Sequence, residues 1–168
     1  MFCISQLGHD VYVIGVQECL CLPDLREALH NHLGGKSEYV MYAREIGSTN
    51  TALGFHGLIG MTVFAKTEDV DSGAFTDVEG ANGEILRGVN LGVTRAANKG
   101  TVGLPFRYHD ASLAFLTCHF ASDSKGKNKI QKRHNDARAA MQDVCLVEDN
   151  IGFDAQLTVQ VRCLFICC

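Results

Sequence analysis

A chain of 168 residues with 46% hydrophobic side chains and a formal net charge of −4 has the size and composition of one globular domain. No apolar run reaches the ~20 residues of a membrane-spanning helix, and the N-terminus lacks the charged start and apolar core of a secretory signal. The eight cysteines do not fall at zinc-ligand spacing, and without a secretion signal a disulfide framework is not expected, so the thiols should be reduced and mostly buried.

Residues 11–16 form a continuous apolar run, the pattern of a strand buried on both faces. Glu18 follows at its end, where a carboxylate is either a solvated strand terminus or a metal ligand. Residues 23–33 predict a helix. Pro23 suits its first turn, Leu25, Leu29 and Leu33 share a face, and Gly34-Gly35 ends it. His30 and His32 lie on different faces and are expected in solvent. Residues 38–46 predict a strand with Tyr39, Met41 and Ala43 on one side, residues 47–55 a polar loop, and residues 56–66 a further strand ending on Lys66. The acidic, glycine-containing stretch 67–83 reads as an exposed connection, and residues 86–93 as a strand.

Residues 95–119 are the centre of the chain's chemistry. Two strand-like runs, 101–108 and 112–120, flank the polar break His109-Asp110-Ala111, the pattern of a hairpin. Asn98 and Lys99 stand just before the first run and His119 at the end of the second. An amide, an ammonium and an imidazole at strand ends can converge on an anion. The same spacing also fits a surface turn and an ordinary hairpin. Charge is uneven. Residues 1–94 carry net −7, while residues 95–138 hold nine basic and three acidic side chains, net +6. A basic middle in an acidic chain favours an anionic ligand there. Stacking aromatics are missing from 122–138, which argues against single-stranded nucleic acid. Residues 121–129 read as a lysine-bearing loop and 130–147 as a helix with Ala137, Ala140, Met141 and Val144 facing inward. Nothing in the sequence divides residues 1–168 into two domains.

Four segments, taken together and in order, resemble the inositol polyphosphate 5-phosphatases of the endonuclease/exonuclease/phosphatase superfamily. They are the strand from Asp10 to the Gln17-Glu18 pair, Asn98-Lys99-Gly100-Thr101-Val102, Cys118-His119-Phe120, and Arg133-His134-Asn135-Asp136. The resemblance covers about residues 10–157. It implies an α/β fold of the α+β kind, part of a four-layer sandwich with mostly antiparallel sheets. It implies Mg²⁺-dependent hydrolysis of the 5-phosphate of an inositol phosphate or phosphoinositide headgroup. In that scheme Glu18 holds the metal, His119 contacts the scissile phosphate, Asn98 and Lys99 shape the anion pocket, and Arg133 and Asn135 bind substrate.

The tail 158–168 diverges. The Gly-Asp-Leu-Asn, Trp-Cys-Asp-Arg and Ser-Asp-His motifs of the family have no counterpart, so the expectation is an incomplete catalytic domain with weak turnover. An apolar face left uncovered would favour association. The expected setting is cytoplasmic, with peripheral contact to anionic membrane. Two alternatives stand beside this one: a non-catalytic anion- or protein-binding remnant, and another superfamily member such as a nuclease or sphingomyelinase.

Overall fold

The computed structural model describes residues 8–49, 57–77, 84–86, 99–123 and 128–145. Asn98, the loop lysines Lys125 and Lys127, most of the strand expected over 86–93, and the tail lie outside the described residues. The fold is α+β, with two antiparallel sheets and helices packed on them.

The first sheet joins β1 (Val11–Cys19), β2 (Tyr39–Ser48) and β3 (Gly57–Lys66) in the order β1-β3-β2. β3 is the middle strand, and its composition follows from that. Ile59, Met61, Val63 and Ala65 point to the second sheet, while Phe64 points the other way, into the cluster built on the first helix. A strand covered on both faces must be apolar at nearly every position. That helix, α1 (Leu22–His32), has Pro23 in its first turn and stops just before Gly34-Gly35. Leu22, Leu25, Leu29 and Leu33 bury against Tyr12, Val16, Tyr39 and Phe64. Each such side chain contributes on the order of 1.5–3 kcal/mol when removed from water.

His30 corrects the expectation of a solvated imidazole. It is buried against Phe64, with Nε2 2.7 Å from the carbonyl oxygen of Tyr39. A carbonyl only accepts, so Nε2 is the protonated nitrogen. Arg26 was also not foreseen as a structural residue. It is half-buried on α1, where Nε donates to Thr62 Oγ1 at 2.9 Å and Nη2 to the Arg44 carbonyl at 3.1 Å. Nη1 pairs with Glu45. The guanidinium therefore satisfies the Thr62 hydroxyl, which is itself buried. Arg26→Met should leave that hydroxyl without its partner and cost roughly 2 kcal/mol. A denaturation midpoint that drops at unchanged slope would confirm it.

α2 (Thr67–Asp71) leads to β4 (Phe75–Asp77), and β5 (Glu84–Leu86) follows. Residues 67–83 were expected to be an exposed connection, yet Phe75 is buried and stacks on Phe106 at 4.8 Å and near Tyr42 at 5.1 Å. One aromatic among acidic residues gives no periodicity to read, but its burial welds the segment to the core. β6 (Gly100–Tyr108) and β7 (Ala111–His119) form the expected hairpin, and β4 and β5 pair along the other edge of β6. Pro105 falls between the stretches paired to β5 and β4, a place where a missing N–H breaks no ladder bond on that edge.

Val102, Leu104, Phe106 and Phe75 of the second sheet pack on Ile46, Ile59, Met61 and Val63 of the first. α3 (Ile130–Cys145) starts where Asn128 Oδ1 accepts from the Ile130 N–H and Asp123 Oδ1 from the Lys129 N–H, both at 2.8 Å. Its Ala140 packs on Leu116 and Phe120. Leu113 and Phe115 of β7 remain exposed. No described helix is long and apolar enough to cross a membrane.

Candidate functional site

Three strand ends meet at one place, and two glycines make the meeting possible. β1 and β3 pair in register up to Val16 opposite Gly60. The next pair is Cys19 opposite Leu58, so β1 carries one extra residue. This is a β-bulge, a device that re-aims a side chain where a strand ends. Glu18 sits in it with φ 53°, the left-handed region that a non-glycine residue adopts only at a cost of about 1–2 kcal/mol. Gly57, with φ +83°, presses on the same peptide. A Cβ there would stand 2.4 Å from the Glu18 carbonyl carbon. The bulge turns Glu18 out of the alternation of the strand and leaves its side chain half exposed.

Gly15 brings the two sheets together at this end. A Cβ at Gly15 would lie 2.9 Å from Thr117 Cβ on β7. With β1 that close, Gln17 reaches across to the last residues of β7. Its Nε2 donates to the Cys118 carbonyl at 2.5 Å, and its Oε1 lies 3.0 Å from His119 Nδ1. His119 pairs with Gly100 in the β6–β7 ladder, which sets Lys99 beside the imidazole. Lys99 Nζ contacts His119 Nε2 and stands 3.6 Å from Glu18 Oε1. The same carboxylate oxygen is 3.0 Å from His119 Nε2.

Lys99 and His119 therefore come together as the sequence suggested, and Glu18 joins them, although the three are separated by 20 to 101 residues in sequence. Burial pulls the Lys99 ammonium below the ordinary lysine value, and the Glu18 carboxylate opposes part of that fall. The outcome is a partly desolvated cation beside a half-exposed carboxylate and an imidazole. Such a group gains more from an anionic ligand than a fully hydrated lysine would.

Arg133 and Asn135 are placed differently. Arg133 Nη1 donates to the Ala121 carbonyl at 3.1 Å and to Asp123 Oδ1 at 2.6 Å, tying the start of α3 to the loop after β7. That pairing holds the Asp123 carboxyl below the usual range. Asn135 is exposed and accepts from Gln131 Nε2 at 3.2 Å. None of these contacts reaches Glu18, Lys99 or His119. Asn98 lies outside the described residues. Gln17 entered the sequence reading only as half of the strand-end Gln17-Glu18 pair, with no role of its own, and Gly15 and Gly57 were not singled out.

For a metal ion, the described residues include no group of three or more His, Cys, Asp or Glu side chains suited to hold one. Glu18 offers one half-exposed carboxylate. That donor set does not enclose Mg²⁺ by itself, but it fits the way Mg²⁺ is commonly held, by one or two carboxylates together with substrate phosphate and water.

Residues 4–165 match the model of endonuclease/exonuclease/phosphatase family 2. The phosphatidylinositol 3,4,5-trisphosphate 5-phosphatase 2B of Danio rerio is 25% identical over 162 residues, which cover 92% of this chain. The chain spans 11% of that relative's length. With nearly all of its length matched, the chain belongs to endonuclease/exonuclease/phosphatase family 2.

Proposed function

We propose that the Glu18–Lys99–His119 cluster is the phosphate-handling part of a hydrolase site for phosphorylated inositols, soluble or as lipid headgroups. The observation that carries this is the convergence of a partly buried ammonium and an imidazole on one carboxylate where three strands end. Family membership and the phosphoinositide phosphatase named above support the substrate class.

The chemistry follows from charge. A phosphate monoester needs its oxygens neutralised and oriented before water can attack. Lys99 supplies a point charge to a phosphoryl oxygen. His119, protonated at Nε2 when phosphate binds, donates from there to a second oxygen. Glu18 alone would repel an anion, so its place in an anion site makes sense with a divalent cation between them. Bound at Glu18, Mg²⁺ would supply Lewis-acid polarisation of the phosphoryl oxygens. The strand ends hold these groups on rigid backbone.

Binding and turnover should part company in this chain. Among the described residues one carboxylate reaches the cluster, and the Gly-Asp-Leu-Asn and Ser-Asp-His motifs are not in the sequence. Catalytic groups that act as a unit fail together. Phosphate release from phosphatidylinositol 4,5-bisphosphate or inositol 1,4,5-trisphosphate, with excess Mg²⁺, should fall well below the ~1–10³ s⁻¹ common among enzymes. Calorimetry should still detect inositol trisphosphate binding, and detect none of unphosphorylated inositol. Equal affinity for both would remove the phosphate reading. Fast release abolished by Glu18→Ala would show that the chain carries a complete site.

A further inference from the structure

The structure assigns Gln17 the role of a positioning residue that decides which nitrogen of His119 carries the hydrogen in the neutral ring. The inference deepens the reading above and, for its functional meaning, rests on it. Among the described residues, the side chain at His119 Nδ1 is that of Gln17. Its own orientation is settled by chemistry. One end of the amide is 2.5 Å from the Cys118 carbonyl oxygen, which only accepts, so that end is the NH₂ group. The other end is then the amide oxygen, 3.0 Å from His119 Nδ1. An amide oxygen only accepts, so Nδ1 carries the hydrogen and Nε2 of the neutral ring carries the lone pair.

An independent contact at the far side of the ring requires the same arrangement. Lys99 Nζ, which has donors and no acceptor, contacts Nε2. The chain of bonds therefore runs in one sense: Lys99 donates to Nε2, Nδ1–H donates to Gln17, and Gln17 donates to the backbone of β7. Glu18 Oε1 competes for this tautomer. It stands 3.0 Å from Nε2 and, being an acceptor, would favour a hydrogen there. Gln17 holds the balance, because it fixes Nδ1–H from the side away from the cluster. Its two bonds also set the ring plane, since both lie on residues at the end of one strand. An outer partner that orients a histidine in this way is a recognised feature of sites built around imidazoles.

The test is the tautomer of His119 in the 168-residue chain, read by long-range proton–nitrogen NMR of the ring. At a pH where the ring is neutral, the wild type should show Nδ1–H. Lys99→Met should keep Nδ1–H, because Gln17 remains. Gln17→Met, close in size and without donor or acceptor of comparable strength, should move the ring toward Nε2–H facing Glu18. It should also weaken inositol 1,4,5-trisphosphate binding on the order of ten-fold, because the imidazolium that donates Nε2–H to phosphate then lacks an acceptor for its Nδ1–H. Nε2–H in the wild type or in Lys99→Met, or Nδ1–H retained in a folded Gln17→Met, would overturn the assignment. If Gln17→Met fails to fold, the wild type and Lys99→Met still decide. A wild type that shows Nδ1–H but binds no inositol trisphosphate would sink the phosphate reading and leave the positioning of His119 intact.

Discussion

Gly57→Ala is expected to be the most damaging methyl group that can be added to the described structure. Two effects add. Gly57 has φ +83°, where an alanine is strained by about 1–2 kcal/mol. The new Cβ would also stand 2.4 Å from the Glu18 carbonyl carbon, 2.7 Å from its oxygen and 2.8 Å from the Cys19 nitrogen. These are backbone atoms inside a sheet, so they cannot rotate aside as a side chain would. A loss of roughly 3–5 kcal/mol follows, at the upper end of single substitutions. The change should also displace Glu18, because the bulge and the glycine share the contact. Thermal unfolding measures the first effect, and phosphate binding by whatever fraction stays folded measures the second. Gly73, with φ +78° and open space around it, is the control. Alanine there should show the backbone strain without the clash.

Lys99→Ala and His119→Ala should each weaken inositol trisphosphate binding by roughly ten- to a hundred-fold. A charge-assisted hydrogen bond to phosphate is worth about 1.5–3 kcal/mol, and each 1.4 kcal/mol is a factor of ten. Lys36 is exposed, in the short turn Gly35–Ser37 that follows α1. Lys36→Ala removes the same formal charge and should change affinity by no more than about two-fold, since isolated surface charges are hydrated and screened. Because Lys99 and His119 touch, their double substitution should cost less than the sum of the two. Equal losses from all three lysine and histidine variants would point to a diffuse charge effect with no local site.

Periodicity in the sequence carried much of the architecture. The apolar runs at β1 and β3, the leucine spacing of α1 and the two strands around His109-Asp110 are local patterns, and the structure has all of them. What escaped was set by contacts across distance. Phe75 enters the core through Phe106 and Tyr42, which no window of its own sequence contains. His30 is buried and Arg26 half-buried because backbone carbonyls and the Thr62 hydroxyl await them on β2 and β3. Polar residues on a helix look alike until the partner is known. In the site, chemistry-bearing types were visible at Glu18, Lys99 and His119, but spacing alone could not bring β1 to β7. That step depends on Gly15 against Thr117 and on the extra residue of the bulge. Arg133 shows the reverse case: a basic residue in a motif whose described partners are the loop beside it.

The central claim is that phosphate is recognised where β1, β6 and β7 end. Titrating the isotopically labelled chain with inositol 1,4,5-trisphosphate, and following backbone amide shifts, tests it most directly. Saturable shifts are expected at Gln17, Glu18, Lys99, Gly100, Cys118 and His119, with little change along the exposed side of α3 at Lys132, Asn135 and Arg138. Shifts centred on that α3 surface, or spread over every basic residue without saturation, would contradict the claim.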